Sequence, residues 1–353
     1  MRPAEWFAAT DRTAFRRAVR RWYAERGRDL PWRRLPRDPY AVWVAEIMLQ
    51  QTTVATVIGY FDRFLSRFPT VGALAAAPES DVLHLWQGLG YYRRARMLHQ
   101  AAQRIVAEHG GEFPRDRDAI AALPGLGRYT AAAVATFAFD IRAGILEANT
   151  IRLWTRLAAA AGDPARQPLR EELWSLAEEA PPRSSPGDFN QALMDLGAVV
   201  CAPAPRCGEC PLTSFCAGFR EGKPERYPQP APKRAKEEQE HASTIVHWRD
   251  RLLVVRRPDG GRWAGLWEFP RVEKTSDESW EEAAGRAVRA FVDRPFALRG
   301  RRLALTHGIM HYKVRLCAYD ADLLAAPASG EDSAMRWLRR EELESLPFSS
   351  PQR

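Results

Sequence analysis

The stretch Leu123-Pro-Gly-Leu-Gly-Arg-Tyr-Thr130 carries the strongest signal about how the first half of the chain folds. On both sides of it apolar residues recur every three or four positions, which predicts two helices joined by a Gly-x-Gly turn. Glycines let backbone N–H groups approach a phosphate closely, and the N-terminus of the following helix adds a favourable dipole. The stretch therefore predicts a hairpin between helices that can bind an anion, with a plain helix–turn–helix joint as the alternative.

Four cysteines follow the hairpin at the spacing C-x5-C-x2-C-x5-C: Cys201, Cys207, Cys210 and Cys216. Four thiolates so close in sequence can surround one metal centre. Zinc sites usually contain two separated C-x2-C pairs or a histidine, and disulfides need an oxidising compartment. The short spacers favour a [4Fe–4S] cluster over zinc and over disulfides. The fifth cysteine, Cys317, lies in a strand-like segment and is interpreted as a small buried hydrophobic residue.

Length and composition indicate a well-cored protein of about two domains. The chain has 353 residues, of which 46% are apolar and 27% charged, and a formal charge of +8. A basic excess favours an anionic polymer as partner, because each phosphate contact releases counterions. We expect no membrane partner, since no apolar run reaches membrane length. We also expect a reducing, cytoplasmic location, since no secretory signal is recognised at Met1–Trp6.

The chain divides into two halves with different periodicity. From Thr13 to about Ala217 the pattern is almost wholly helical, whereas Gly222–His241 is rich in Pro, Lys, Glu and Gln and is typical of a linker. Short alternating strands follow, with a helix predicted over Ser279–Val292. We predict a multidomain protein with an all-α domain, a linker and a smaller α+β domain. Their ranges are 1–221 for the all-α domain, with the hairpin at 120–138 and the cysteine loop at 201–216, then 222–241 for the linker and 242–353 for the α+β domain.

The hairpin and the cysteine loop together resemble the endonuclease III superfamily of base-excision DNA glycosylases. This resemblance implies a helix–hairpin–helix that holds the DNA backbone without reading its sequence, through Leu123, Gly125, Gly127 and Arg128. In the superfamily, enzymes that also nick the strand carry a lysine next, which attacks the sugar as a Schiff-base nucleophile. Tyr129 occupies that position here, and a phenol cannot form an imine. The chain is therefore predicted to be a monofunctional glycosylase, unless Tyr129 is only a packed aromatic.

The segment Trp43-Val-Ala-Glu-Ile-Met-Leu-Gln-Gln-Thr-Thr53 resembles the signature of MutY-type adenine DNA glycosylases. Glu46 lies on an otherwise apolar helix, where desolvation would raise its pKa and keep it protonated near neutrality. An acid is needed because neutral adenine is a poor leaving group until N7 is protonated. Gln50 and Gln51 are candidates for contacts with the DNA strand. The alternative for all three is a place on the helix surface.

Glycosidic cleavage also needs an ionised carboxylate to stabilise the sugar cation. The family carries this residue in an Asp-Gly-Asn motif, and the chain has Ile145-Leu-Glu-Ala-Asn149 in its place. Glu147 is therefore the candidate, and Asp140 is the alternative. Asn149 matches the family asparagine, which would hold the carboxylate or the 3′ phosphate.

Three further segments fit the same resemblance. Leu30-Pro-Trp-Arg33 is similar to a segment that lines the adenine pocket, which implies Trp32 and Arg33. Gln191 matches a position that contacts the adenine, with a helix-surface amide as the alternative. Tyr91 is a candidate for insertion into the base stack, since a wedged aromatic offsets part of the cost of base flipping. A buried turn aromatic is the alternative for Tyr91.

The segment Gly261-Arg-Trp-Ala-Gly-Leu-Trp-Glu-Phe-Pro270 resembles the opening of a Nudix domain. The following helix carries only Glu281 and Glu282 instead of the acidic run that binds Mg²⁺, so we expect recognition rather than hydrolysis. MutY-type enzymes use this domain to read 8-oxoguanine, often with a His-x-Phe-Ser-His loop. The best match is His307-Gly-Ile-Met-His311, which implies His307, Met310 and His311, although a thioether at Met310 loses the usual hydroxyl contact.

The combined prediction is a monomeric base-excision repair enzyme with a [4Fe–4S] cluster. It would hydrolyse the N-glycosidic bond of adenine opposite 8-oxoguanine or guanine in double-stranded DNA and leave an abasic site, in association with a bacterial nucleoid. Three alternatives stay open: a thymine or uracil mismatch glycosylase of the same superfamily, a nucleotide-sanitising Nudix hydrolase, and a non-catalytic iron–sulfur DNA-binding protein.

Overall fold

The computed structural model describes residues 2–232, 235–258, 260, 263–309, 311–327 and 334–352. The chain forms two compact units, one made of Met1–Ala77 and Met97–Pro232, the other of Pro78–Arg96 and Lys233–Arg353. The short segment Pro78–Arg96 thus belongs to the second unit, although the sequence places it in the all-α domain. The predicted domain boundaries remain a proposal.

The described residues of 2–232 form helices and no strand, as the periodicity predicts. The helices are α1 Pro3–Ala9, α2 Arg12–Arg26, α3 Pro39–Leu49, α4 Val54–Arg67, α5 Val71–Ala76, α6 Glu79–Leu85, α7 Arg93–His109, α8 Arg117–Ala121, α9 Arg128–Phe139, α10 Ala148–Ala158, α11 Leu169–Glu179, α12 Pro186–Asp195 and α13 Ala217–Arg220. A π-helical segment, Leu196–Val200, extends α12 towards the cysteine loop. The helical periodicity of the sequence continues without interruption through Ala41–Thr56, but the structure divides this segment, because α3 ends at Leu49 and α4 begins at Val54.

Helices α3 and α9 form the centre of the first unit and pack against each other. Both are apolar on nearly all sides, and a helix of that kind is stable only when it is buried all round. In α9 every residue from Thr130 to Phe137 is buried, and in α3 Val42 to Met48 are buried. Glu46 is the only charged residue among these, which makes its position in α3 chemically exceptional.

The predicted hairpin lies between α8 and α9. Gly125 has φ +79°, and a Cβ at this position would lie 2.8 Å from the Cβ of Met97. Glycine is therefore required for both backbone conformation and space. A Cβ at Gly127 would meet no atom within 4 Å, so the backbone before α9 is open for close approach by a ligand. The structure confirms the hairpin.

An aromatic cluster holds α1 and α2 against the remainder of the first unit. The rings of Trp6, Phe15 and Trp154 lie about 6 Å from one another in edge-on or tilted arrangements, 5.8 to 6.2 Å between centroids. The indole Nε1 of Trp6 also donates a hydrogen bond to the carbonyl oxygen of Phe215, at 2.9 Å. Helix α1, which the sequence does not predict, thus packs on the cysteine loop.

The second unit contains a mixed seven-stranded sheet in the order β3-β2-β1-β6-β5, with β4 paired to β1 and β7 to β2. Strands β1 and β6 are parallel, and the other pairs are antiparallel. Helix α14, Trp280–Arg289, covers the face on which Cys317 is fully buried. The strands are β1 Glu237–Trp248, β2 Arg251–Arg256, β3 Trp267–Glu268, β4 Arg271–Glu273, β5 Phe296–Ile309, β6 Tyr312–Leu323 and β7 Met335–Arg339.

The second unit differs from the sequence prediction in three ways. Strand β1 begins at Glu237, inside the predicted linker, because its charged first residues pair with β6 through their backbone. Strands β3, β4 and β7 are too short to show alternation and are not predicted. The predicted last helix, Arg340–Leu346, is a 3₁₀ helix that ends at Ser345.

Within the described residues, none of the helices has the length and apolar character needed to cross a membrane.

Candidate active site

An open cleft of about 670 Å³ in the first unit collects most of the predicted site residues. Its walls come from the loop that follows α2, from α3, from the start of α9, from the N-terminus of α10 and from α12. The cleft brings together residues that are up to 170 positions apart in sequence, as Arg28 and Ala198 are. The predicted residues that line it are Trp32, Arg33, Glu46, Gln50, Gln51, Gly125, Gly127, Tyr129, Glu147, Asn149 and Gln191.

Glu46 lies at the floor of this cleft and is only 4% exposed. Its Oε2 accepts a hydrogen bond from the hydroxyl of Tyr129, at 2.9 Å. Burial raises the pKa of Glu46 to about 7, while the Tyr129 hydrogen bond and the charge of Arg33 act in the opposite direction and the charge of Glu147 adds to the rise. A carboxyl group with this pKa can hold a proton at neutral pH and release it to a bound ligand.

Tyr129 is the residue that follows the hairpin, and it stays a proton donor. Burial, together with the negative charges of Glu46 and Glu147, holds the pKa of its phenol well above the usual value. Its hydroxyl therefore fixes the orientation of the Glu46 carboxyl group. The residue after the hairpin therefore presents a hydroxyl group, not an amine, beside Glu46.

Glu147 caps the N-terminus of α10 from the opposite wall. Its carboxylate accepts hydrogen bonds from the backbone N–H groups of Asn149, at 2.8 Å, and Thr150, at 2.9 Å. Burial raises the pKa of Glu147, whereas the two N–H donors and the charges of Arg152 and Arg28 oppose the rise. Helix N-termini favour negative charge, so the cap supports the ionised form.

Asp140, the alternative to Glu147, has a structural position. It ends α9 in the left-handed conformation, φ +56°, and its side chain is exposed. Its Oδ1 accepts a hydrogen bond from the backbone N–H of Gly187, at 2.9 Å, and Asp140 does not line the cleft. Of the two carboxylates, only Glu147 therefore lies beside Glu46.

Asn149 connects the cleft to the cysteine loop through Arg152. The Arg152 guanidinium donates to Asn149 Oδ1 at 2.8 Å and to the carbonyl oxygens of Gly197 and Cys201, at 2.6 and 2.8 Å. One turn later in α10, Arg156 donates to the carbonyl oxygens of Cys201 and Ala202. Helix α10 thus holds the cysteine loop with two arginines while its N-terminus forms one wall of the cleft.

Three residues behind the adenine-pocket candidates, Tyr23, Arg28 and Asp195, are not predicted from the sequence. The carboxylate of Asp195 is fully buried and binds both Arg28 and Arg33. The hydroxyl of Tyr23 donates to Oε1 of Gln191, at 2.9 Å. Asp195 was detectable in principle, because it is an acidic residue on an apolar helix, as Glu46 is, four positions after Gln191.

The remaining DNA-contact candidates lie at different places. Gln50 donates from its amide to Thr130 Oγ1, at 3.2 Å, and Gln51 is exposed with φ +60°. Tyr91 belongs to the second unit and is 48% exposed with φ +48°. Leu123 is buried in the hairpin, and the guanidinium of Arg128 stacks 4.0 Å from the ring of Trp174.

The four loop cysteines line one small cavity. Backbone N–H groups of Leu212 and Phe219 donate to the sulfurs of Cys210 and Cys216, each at 3.4 Å, and Arg156 donates to the sulfur of Cys201 at 3.4 Å. Among the described residues, no three His, Cys, Asp or Glu side chains are arranged to hold a single metal ion. Donors of this kind stabilise thiolate charge, and four sulfurs around one cavity fit a centre larger than one atom.

The predicted recognition residues of the second unit lie at the β5–β6 hairpin. The ring of His307, in β5, lies 6.0 Å from the indole of Trp263, and the ring of His311 lies 3.9 Å from that of Tyr312. Met310 lies outside the described residues. In α14, Glu281 accepts a hydrogen bond from the Tyr319 hydroxyl, at 3.1 Å, and Glu282 forms a capping box with Ser279.

We predict that Glu46→Gln stabilises the protein at high pH. Burial raises the pKa of Glu46 in the folded state above its unfolded value of 4.5, to about 7, so ionising this group costs stability as the pH rises between those values. The free energy of unfolding of the variant should exceed that of the wild type by about 1–3 kcal/mol at pH 8 and by little at pH 4. Urea unfolding at both pH values measures this, with the exposed Glu25→Gln as control. An equal difference at both pH values would contradict the buried, protonated state of Glu46.

Comparisons with known proteins agree with this geometry. Residues 44–179 match the HhH-GPD superfamily of base excision DNA repair proteins, and residues 242–353 match the NUDIX domain. The adenine DNA glycosylase of Mus musculus is 36% identical over 94% of this chain and 75% of its own length, and that of Homo sapiens 34% over 96% and 72%.

Among solved structures, a thermostable thymine-DNA glycosylase is 33% identical, with a TM-score of 0.54 over 60% of this chain and 97% of that one. An endonuclease III trapped on DNA has the same fold at 22% identity, with a TM-score of 0.51 over 60% of this chain and 99% of that one. The helical part of the chain therefore has the fold of the superfamily. The relatives that match almost the whole chain are, within that superfamily, adenine DNA glycosylases. By its two matched domains and its similarity along almost its entire length, the chain belongs to the adenine DNA glycosylases of base excision repair.

Proposed function

We propose that this glycosylase removes adenine paired with 8-oxoguanine, or with guanine, from duplex DNA and leaves an abasic site. The observation that carries the proposal is the buried carboxyl group of Glu46, whose pKa is raised to about 7 and which is held by the Tyr129 hydroxyl. A group of this kind is the acid that an adenine leaving group requires. A thymine mismatch glycosylase, the main alternative, is not favoured, because the matched thymine enzyme corresponds to only 60% of this chain.

Glu46 acts as the general acid in this proposal. A flipped adenine in the cleft accepts the Glu46 proton at N7, which makes the base a neutral leaving group. The Tyr129 hydrogen bond keeps the carboxyl group in one orientation for this transfer. Proton transfer by a positioned acid accelerates such reactions by about 10²–10⁴-fold.

Glu147 stabilises the positive charge that develops on the sugar as the glycosidic bond breaks. Its carboxylate is fixed by two backbone N–H groups, so it does not need to reorient during the reaction. Asn149 is oriented by Arg152 and lies beside this carboxylate in sequence and in the cleft wall. Water completes the reaction, because Tyr129 offers no amine for an imine with the sugar.

Trp32, Arg33 and Gln191 form the proposed adenine pocket. Trp32 contributes an aromatic surface that packs edge-on against Phe61, with ring centroids 5.3 Å apart. Tyr23 occupies the carbonyl end of the Gln191 amide, so the NH₂ end is the one left to donate to a ring nitrogen of the base. This pairing would discriminate between bases by hydrogen-bond direction.

Gly127, Gln51 and Tyr91 are the proposed contacts with the DNA strand. Gly127 offers an open backbone at the N-terminus of α9, where a phosphate is favoured by the helix dipole. Gln51 and Tyr91 are exposed and keep a left-handed backbone, which costs roughly 1 kcal/mol or more for residues with a Cβ. Strain of this kind at an exposed side chain supports a functional role, here insertion next to the flipped nucleotide.

The second unit is proposed to read the 8-oxoguanine strand through His307 and His311. Both rings lie at one hairpin beside aromatic side chains, which restricts their orientation. Imidazole N–H groups can donate to the additional oxygen of the oxidised base. The predicted contribution of Met310 stays a prediction.

The four cysteines are proposed to bind a [4Fe–4S] cluster. Burial raises the pKa of the Cys210 thiol to about 12, so ionisation of this cysteine depends on a cationic centre. The cluster, when bound, supplies the iron that ties the four thiolates together and fixes the loop. The loop in turn supports α10, whose arginines bind its carbonyl oxygens and whose N-terminus carries Glu147 and Asn149.

Single-turnover cleavage of three duplexes tests the substrate. Adenine should be released from duplexes with A opposite 8-oxoguanine and A opposite guanine, faster from the first, and thymine should not be released from T opposite G.

Glu46→Gln should reduce the rate by at least about 10²-fold while duplex affinity stays the same. His307→Ala should reduce the preference for 8-oxoguanine. Absence of adenine release from both adenine duplexes would overturn the proposal, and lost affinity in Glu46→Gln would make Glu46 a structural residue.

Glu147→Ala and Asp140→Ala, compared side by side, test the second carboxylate. Glu147→Ala should lower the single-turnover rate by about 10²-fold or more, because the sugar cation loses its counter-charge. Asp140→Ala should keep the rate and lower the free energy of unfolding by about 1 kcal/mol, through its hydrogen bond to Gly187. The reverse result would assign the role to Asp140.

Iron and sulfide analysis of the purified protein tests the cluster. About four irons and four sulfides per chain are expected, with a matching visible absorption band. Cys210→Ser should lower the iron content, whereas Cys317→Ser, in the second unit, should leave it unchanged. Stoichiometric zinc in place of iron would contradict the proposal.

A further inference from the structure

Asp195 is a buried carboxylate that the proposed reaction does not use. It ends α12 with no exposed surface, and four N–H groups donate to its two oxygens. The donors are the backbone N–H and Nε of Arg28, at 3.0 and 2.8 Å, and Nη1 and Nη2 of Arg33, at 2.8 and 2.9 Å. Arg33 thus makes a two-pronged contact, the strongest and most directional kind of arginine–carboxylate pair. The three residues form one buried charge cluster behind the cleft.

Arg33 and Arg28 both line the cleft, whereas Asp195 lies behind them. Asp195 is also one helical turn after Gln191 on α12, so the same helix face positions the pocket amide and the pocket arginine. The Arg33 guanidinium lies 5.9 Å from the centre of the Tyr23 ring, and Tyr23 holds Gln191. Removal of Asp195 would therefore affect two arginines and, through Tyr23, the base-facing amide.

Arg33 creates a conflict for Glu46. A nearby positive charge favours the ionised form of a carboxyl group, and Arg33 lowers the pKa of Glu46. An acid that must carry a proton near neutrality works better without that cation. The groups that act on Glu46 are Tyr129 from α9, Arg33 from the 3₁₀ turn Pro31–Arg33, and Glu147 from the start of α10. Among them, Arg33 is the only cation.

We propose that Asp195 is a positioning residue, which fixes Arg28 and Arg33 at the cleft wall and neutralises Arg33 so that Glu46 keeps its proton. The negative charge of Asp195 lies in direct contact with the guanidinium and offsets its field at Glu46. This inference rests on the proposed role of Glu46 as the acid. It assigns to Asp195 a role in the reaction without contact with the substrate.

The charge cluster around Asp195 also affects Glu147, the second carboxylate in the cleft. Arg28, the second partner of Asp195, lowers the pKa of Glu147 and thus supports its ionised form. Neutralising Asp195 would strengthen the fields of both arginines. The stronger field of Arg28 would favour the ionised form of Glu147, which its role requires, whereas the stronger field of Arg33 would make Glu46 lose its proton at a lower pH. The change should therefore be visible only on the alkaline side of the pH profile.

Single-turnover rates of Asp195→Asn on the A opposite 8-oxoguanine duplex, from pH 5 to 9, test the proposal. The wild-type rate should fall as the pH rises through the Glu46 pKa. In the variant the midpoint of this fall should move to lower pH by about one unit. The rate should then be about ten-fold lower at pH 8 and within about two-fold of the wild type at pH 5.5. A reduction by the same factor at every pH, with an unchanged midpoint, would overturn the proposal.

Asp188→Asn is the matched control. Asp188 lies on the same helix and also pairs with an arginine, Arg37, but it is half-exposed and does not line the cleft. Its replacement should leave the midpoint where it is in the wild type. A shift as large as that of Asp195→Asn would mean that any charge lost from α12 has this effect, which would also overturn the proposal.

Removing Arg33 tests the coupling directly, and Arg33→Met on its own does not depend on whether Asp195→Asn folds. Arg33→Met should move the midpoint to higher pH, and Arg33→Met combined with Asp195→Asn should not show the downward shift. A downward shift that persists without Arg33 would contradict the proposal. If the wild type shows no midpoint near pH 7, or if Glu46→Gln remains active, the role of Glu46 itself fails. If the wild type shows it and Asp195→Asn does not move it, only the role of Asp195 fails.

Discussion

The hydrogen bond from Tyr129 to the buried carboxyl group of Glu46 is the interaction on which the chemistry of the cleft depends. It joins α3 to α9, the two helices that are apolar on nearly all sides and form the centre of the first unit. Burying these helices removes water from Glu46, and the loss of water raises its pKa into the neutral range. Packing energy and acid strength therefore have the same origin. The hairpin that places Tyr129 also provides the open backbone at Gly127, so the proposed DNA contact and the proposed acid lie beside the same turn.

Two pairs of arginines hold the structure around Glu46 in place. Arg152 and Arg156 of α10 bind carbonyl oxygens of the cysteine loop, so the wall that carries Glu147 is supported by the loop. Arg28 and Arg33 face the cleft from the other side and are both held by Asp195. Burial raises the pKa of both carboxyl groups in the cleft, but two backbone N–H donors and two arginines oppose the rise at Glu147, whereas Tyr129 and Arg33 oppose it at Glu46.

Features that a short stretch of sequence is enough to define lie where the sequence predicts them. Glu46 is the one acid in an apolar helical run, the hairpin has its glycine spacing, and both lie where the pattern places them. Asp195 was missed because its partners are 162 and 167 positions away in sequence. The division between α3 and α4 was also missed, since nothing in the helical period marks the left-handed turn at Gln51. Strands β3, β4 and β7 are held by their neighbours in the sheet rather than by their own alternation, and short segments of this kind carry no periodic signal.

The sequence by itself determined the superfamily, the two-part organisation and the kinds of chemical group available, because motif spacing and local periodicity are properties of neighbouring residues. The tertiary structure alone decided which of two carboxylates lies beside Glu46. Asp140 and Glu147 are only seven positions apart, but one binds the backbone of Gly187 and the other caps α10 inside the cleft. It also decided how readily Glu46 gives up its proton. That property depends on burial and on the charges of Arg33 and Glu147, which only the folded chain brings together.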